Sequence, residues 1–139
     1  MNTCYLSLGS NQKSPERHIR QAIKDLESIP HTSILTRSSL YWTKAWGLTT
    51  QQDFCNAVVA ISTSLRPTLL LKWCHSIENK HGRVRLKRWG PRTLDIDIIL
   101  YGDRTMHTNK LTIPHPHYLS RDFVLKPLLE INPILQFKN

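Results

Sequence analysis

The chain has 139 residues, 40% of them hydrophobic and 21% charged, with a formal net charge of +9. A chain of this size buries roughly 68–70% of its unfolded surface, so a single domain over residues 1–139 is expected, and its charge favours phosphate-rich ligands, nucleic acid or an acidic membrane face. Three scattered cysteines, Cys4, Cys55 and Cys74, argue against a disulfide framework or zinc knuckle, and no apolar run reaches membrane-spanning length.

Cys4 to Leu8 reads as a first strand, ended by the turn-rich triplet Gly9-Ser10-Asn11. The first eleven residues hold neither a basic lead nor a sustained apolar stretch, so no signal peptide is expected and a cytoplasmic location fits. Ser14-Pro15 is an N-cap followed by proline at the first helical position, and Ile19, Ala22, Ile23 and Leu26 form the apolar stripe of a helix ending near Pro30. Thr32 to Thr43, rich in β-branched and aromatic residues, predicts a second strand. Lys44 to Asp53 predicts a polar loop, and Asn56 to Ser64 alternates as a third strand. Pro67 opens a second helix with Leu70, Trp73, Cys74 and Ile77 on one side and Gly82 as its stop. A basic loop over 83–91 leads to a fourth strand, Thr93 to Tyr101, turned at Gly102-Asp103. The proline-rich remainder is expected to mix a short hairpin with helical turns. The order β-α-β-β-α-β predicts an α+β, ferredoxin-like fold: an antiparallel sheet with two helices on one face.

The fourth strand sets two acids into an apolar run. Residues i and i+2 share a face of a strand, so Asp95 and Asp97 are expected beside Ile99 and Tyr101, with Leu94, Ile96, Ile98 and Leu100 opposite. Apolar residues on both faces predict a place in the sheet interior. Two carboxylates ~6.6 Å apart repel by about 2.5 kcal/mol at an effective dielectric near 20. A bound cation turns that cost into affinity, and an all-oxygen pair suits Mg²⁺, which binds through one or two carboxylates plus substrate phosphates.

The stretch GRVRLKRWGPR places Arg83, Arg85, Lys87, Arg88 and Arg92 immediately before that strand, with no acid among them. A charge run alone is most simply a solvated loop. Beside a carboxylate pair it suits phosphoryl transfer, because guanidinium forks bind phosphate bidentately at any physiological pH. There is no P-loop and no kinase glycine loop. His115 and His117 have no third ligand nearby, so zinc is not expected. The histidines at 18, 31, 75, 81 and 107 read as surface or helix residues.

The segment R-W-G-P-R-T-L-D-I-D-I-I at 88–99 resembles the signature of the 6-hydroxymethyl-7,8-dihydropterin pyrophosphokinase family, which serves folate biosynthesis. The resemblance continues in Y-L-S-L-G-S-N at 5–11, D-F-C-N-A-V-V at 53–59, I-E-N-K-H-G-R-V-R at 77–85, L-T-I-P-H-P at 111–116 and R-D-F-V-L-K-P-L-L-E-I-N-P at 121–133. It implies transfer of the terminal pyrophosphate of ATP to the pterin hydroxymethyl oxygen, leaving AMP, by a cytoplasmic, monomeric enzyme. By the same resemblance Asp95 and Asp97 bind two Mg²⁺ ions, and Asp95 also lies close to the attacking hydroxyl. Arg83, Arg92 and Arg121 steady the phosphates, with Arg83 and Trp89 on a closing loop. Glu78, Arg85, Trp89 and His115 help to hold ATP. Phe54 and Phe123 stack on the pterin, Asn56 supplies its amide partner, and Thr43 adds a contact. Lys44-Ala45 and Gln52 stand where members commonly carry proline.

The main competing reading is an RNA-recognition module, which shares the element order and suits the charge. Its paired aromatic motif is missing, and two unscreened aspartates on a sheet face repel phosphate. Nucleic acid and membrane are therefore not expected partners. An effector-binding regulatory domain is the other alternative, and it has no use for a metal pair.

Overall fold

The computed structural model describes residues 1–12, 14–44, 53–82 and 93–134. Strand β1 (Asn2–Ser10) runs through the middle of a five-stranded sheet. Its side chains at Cys4, Leu6 and Leu8 are fully buried, which is the period-2 pattern of a strand with a covered face. It pairs antiparallel along its whole length with β4 (Phe54–Thr63), from Asn2↔Thr63 to Ser10↔Cys55. On its other edge it pairs antiparallel with β5 (Asp95–Tyr101). The far edge of β4 is shared by β2 (Thr32–Arg37) and β3 (Tyr41–Thr43), giving the order β2-β4-β1-β5 with β3 also on β4. Beyond the sheet lie a small hairpin, β6 (Met106–His107) with β7 (Thr112–Ile113), and a 3-10 turn at Tyr118–Ser120.

Helices cover both faces. On one side α1 (Pro15–Glu27) and α2 (Pro67–Lys80) bury Ile19, Ala22, Leu26, Leu70, Cys74 and Ile77 against Leu6, Leu8, Ile96 and Ile98. Each fully buried leucine or isoleucine there contributes about 1.5–3 kcal/mol of transfer free energy. On the other side α3 (Asp122–Ile131) packs Val124 and Leu128 onto Val58, Ile99 and Leu100. The chain is thus α+β with three helices around an antiparallel sheet. The third is formed by the proline-rich stretch expected to give only helical turns.

Several local expectations are revised. The stretch 32–43 is two strands, because Ser38 interrupts the ladder: its N–H donates to the Val58 carbonyl at 2.9 Å, and its Oγ accepts from the Val58 N–H at 2.9 Å. Ser14 stands at the N-cap of α1 but has φ 54 and makes no side-chain cap, leaving proline as the start signal. Trp73 is exposed, and the buried line of α2 is completed by Glu78 instead. Gly9 lies inside β1, opposite Asn56 and Asp95, and does not form a turn. Gly82 does end α2, at φ +74.

The acidic strand β5 is an edge of the sheet, not an interior member. Its exposed backbone is partly covered: Glu78 Oε2 accepts the Ile96 N–H at 2.8 Å, and the Ile99 carbonyl accepts the His115 N–H at 2.9 Å. The pairing with β1 shifts register between Tyr5 and Leu6, so Ile99 is an extra residue in the ladder. That bulge reverses the expected alternation beyond it. Leu100 joins the α3-side cluster, and Tyr101 joins the α1/α2 side, where its hydroxyl donates to the Leu65 carbonyl.

Two of the histidines are structural. His18 Nδ1 and His81 Nδ1 lie 2.9 Å apart, and His81 Nε2 is 3.0 Å from Asp25 Oδ2, which ties α1 to the end of α2. Burial opposes the Asp25 charge, but hydrogen bonds from His81, Lys80 and Gln21 hold its carboxyl below the usual carboxylate range. All three cysteines are buried and free; burial pushes Cys4 up to about 12 and Cys55 to about 11, and raises Cys74 further still. They form no disulfide framework, as expected, and their raised values leave little thiolate.

Candidate active site

Register brings the sequence-derived residues together. Across β3, β4, β1 and β5, one row of facing positions reads Tyr41, Asn56, Gly9, Asp95. The next reads Val58, Ser7, Asp97. Opposed residues of an antiparallel ladder share a face, as do residues two apart, so Thr43 and Phe54 join the same surface. This is the face on which α3 packs. Asp97 is exposed and Asp95 partly so. Their direct neighbours on β1 are small: Ser7 faces Asp97 and Gly9 faces Asp95.

Asn56 is buried, and its orientation is set locally. Its Nδ2 donates to Thr43 Oγ1 at 3.0 Å, with longer contacts to the Tyr41 and Phe54 carbonyls at 3.4 Å. That leaves Oδ1 over Gly9, where an added Cβ would approach within 3.2 Å of it and 4.0 Å of Phe54 Cδ1. Gly9, between Asn56 and Asp95 on this face, is a position that the sequence reading passed over. The available signal was a glycine within a strand-like run, which marks close approach by backbone or ligand.

A second group forms where the loop after β7 meets α3. Arg121 is the N-cap of α3, and its guanidinium carbon lies 5.7 Å from the centroid of the Phe123 ring. Burial, with Arg121 and His117 adding positive charge, pushes His115 down to about 4. Its imidazole is therefore neutral near pH 7. Nδ1 accepts the His117 N–H at 3.2 Å, which leaves the ring proton on Nε2 as a donor. The His115 N–H bond to the Ile99 carbonyl ties this group to β5 two residues beyond Asp97.

Glu78 is buried on α2 and holds the Ile96 amide between the two aspartates. This bond ties α2 to the strand that carries both aspartates. Arg83, Arg85, Lys87, Trp89 and Arg92 lie outside the described residues, as do Ala45 and Gln52. Among the described residues, no group of three or more His, Cys, Asp or Glu could hold a metal ion. Nor is any helix among them long and apolar enough to cross a membrane.

The model of the family described as 7,8-dihydro-6-hydroxymethylpterin-pyrophosphokinase (HPPK) matches residues 5–133. The chain belongs to the HPPK family. The match spans the Asn56–Gly9–Asp95 row, Asp97 and the His115–Arg121–Phe123 group. Curated members of the same name, 2-amino-4-hydroxy-6-hydroxymethyldihydropteridine pyrophosphokinase, are similar over almost all of the chain. The Haemophilus influenzae protein is 45% identical over 139 residues, covering 100% of this chain and 87% of that one. The Pseudomonas aeruginosa protein is 42% identical over 132 residues (95% and 82%), and the Bacillus subtilis protein 43% over 130 residues (94% and 78%). Among solved structures, the HPPK-DHPS of Plasmodium falciparum superposes with a TM-score of 0.72 at 16% identity, and another HPPK-DHPS with 0.75 at 14%. Each covers 99% of this chain, which spans 41% of either solved chain. At those identities the likeness concerns the HPPK fold alone.

Proposed function

We propose that this chain transfers the pyrophosphoryl group of ATP to the hydroxymethyl group of 6-hydroxymethyl-7,8-dihydropterin. The pterin oxygen attacks the β-phosphorus, the bond between the α- and β-phosphates breaks, the hydroxyl proton is lost, and AMP leaves. The observation that carries this reading is the row Asn56–Gly9–Asp95 across three strands, with Asp97 in the next row, inside the family match. Asn56 Oδ1 and Thr43 supply polar partners for a flat heterocycle, Gly9 supplies a floor without a side chain, and Phe54 and Phe123 supply aromatic surface.

The donor set fits Mg²⁺: two oxygen-only carboxylates on one face, flanked by small residues, with coordination left for water and phosphate. Asp95 and Asp97 would hold two such ions, which when bound neutralise phosphate charge and orient the triphosphate. Arg121 sets a permanent positive charge at the N-terminus of α3, where it opposes phosphate. His115, neutral and with Nε2 protonated, donates to an oxygen or ring nitrogen of the nucleotide. Arg83, Arg85, Trp89 and Arg92 complete the nucleotide side by resemblance, and Glu78 contributes to it by holding β5. Asp95 lies nearest the attacking hydroxyl in this arrangement.

The core is read as ferredoxin-like, supported by the antiparallel order β2-β4-β1-β5 with two helices on one face. The same reading takes residues 1–139 as one domain acting as a monomer in the cytoplasm, with no nucleic-acid or membrane partner. The test is nucleotide product analysis with purified protein, Mg-ATP and the pterin. Pterin-dependent AMP supports the assignment, whereas ADP or no turnover refutes it.

A further inference from the structure

Glu130 lies in the last turn of α3, at the opposite end of the helix from Arg121 and Phe123. Its carboxylate gathers donors from the segment that leads into β3. The Ser39 N–H donates to Oε1 and Oε2 at 3.0 Å each, Ser39 Oγ to Oε2 at 2.8 Å, and the Tyr41 hydroxyl to Oε1 at 2.7 Å. The Tyr41 hydrogen bond, against slight burial, and the Ser39 bonds draw the Glu130 carboxyl below its usual range, and Glu130 raises Tyr41. Tyr41 is opposite Asn56 in the ladder, and its carbonyl lies 3.4 Å from Asn56 Nδ2. Two residues on, Thr43 Oγ1 takes the stronger bond from that same amide. The other end of α3 carries Arg121 and Phe123.

We infer that Glu130 is a positioning residue for the pterin subsite: it locks the strand bearing Tyr41 and Thr43 to the helix bearing Phe123. Because β3 is only three residues long, its own ladder fixes it weakly. The exposed carboxylate does what the short strand cannot. It gives Asn56 and Thr43 one defined place relative to the aromatic ring. The inference deepens the pterin reading of those residues and rests on it.

Steady-state kinetics on Glu130→Ala, Glu130→Gln and Tyr41→Phe test it, with pterin varied at saturating Mg-ATP and then the reverse. Glu130→Ala should raise the pterin KM about tenfold, with kcat changed less than about threefold and the ATP KM unchanged. Glu130→Gln keeps an oxygen acceptor and should recover most of that affinity. Tyr41→Phe removes a single hydroxyl and should show part of the KM effect, so it carries the test should Glu130→Ala fail to fold. An unchanged pterin KM in folded Glu130→Ala overturns the inference. So does an equal loss in both KM values and kcat, which is what a merely structural role gives. Wild-type protein separates the two levels: active wild type with indifferent variants sinks the latch alone, and wild type without pterin-dependent AMP sinks the pterin reading with it.

Discussion

Replacing Glu78 by alanine removes the acceptor of the Ile96 N–H, a 2.8 Å bond in a position where Glu78 is only 3% exposed. A buried amide left unsatisfied costs about 1–3 kcal/mol, and bonds to charged groups sit at the upper end. For a chain of this length each kcal/mol lowers Tm by roughly 3–4 °C, so a drop of roughly 3–12 °C is expected. Activity should fall further than stability implies. Ile96 lies between Asp95 and Asp97 on an edge strand, and a displacement of about 1 Å of reacting groups can cost on the order of 10²-fold in rate. Glu78→Gln keeps a carbonyl oxygen and should lie between wild type and alanine. Thermal melts and kcat at saturating substrates decide the matter. A Glu78→Ala protein with unchanged Tm and unchanged kcat refutes the strand-anchoring argument. One with unchanged Tm and a raised ATP KM alone would assign the carboxylate to the nucleotide instead.

Asp97→Ala should lower turnover on the order of 10³-fold with the fold intact, because it removes one of the two carboxylates proposed to hold Mg²⁺; Mn²⁺ binding followed by electron paramagnetic resonance tests that role directly. Gly9→Ala should raise the pterin KM about tenfold with little change in the ATP KM, since its methyl crowds Asn56 Oδ1 at 3.2 Å; unchanged pterin kinetics would remove Gly9 from the floor of the site. Stability should fall as pH drops from about 6.5 toward 4. The unfolded His115 takes up a proton near its ordinary value, while the folded one, held at about 4, excludes it, so its contribution is intact above that window and shrinks within it. Urea midpoints at neutral and mildly acidic pH measure this, and His115→Gln should flatten the slope.

What the sequence discloses is governed by how far apart the interacting residues lie. Asp95 and Asp97 share a face because of a spacing of two, so their pairing is legible at once. The stripe of α1 is equally local, as is that of α2 apart from the exposed Trp73. The edge position of β5 and the bulge at Ile99 depend on how it pairs with β1, which no local pattern encodes. Gly9 illustrates the conflict: Gly-Ser-Asn is turn chemistry, yet strands on both sides hold it extended. His18 and His81 look like unrelated surface residues because their partnership spans 63 positions. Similarly, Phe54, Asn56 and Phe123 would pass for core residues without the family resemblance. Ladder register and α3 then place all three on the face that carries the acids. The pairing of Glu130 had no local signal, since its partners at Ser39 and Tyr41 lie some ninety positions away.

The most direct measurement follows the position of bond cleavage. The chain would be incubated with Mg-ATP radiolabelled at the β-phosphate together with 6-hydroxymethyl-7,8-dihydropterin. Label recovered on the pterin product, with AMP unlabelled, is the result predicted for pyrophosphoryl transfer at the Asp95–Asp97 face. Label retained in ADP or in unreacted ATP would contradict that central claim.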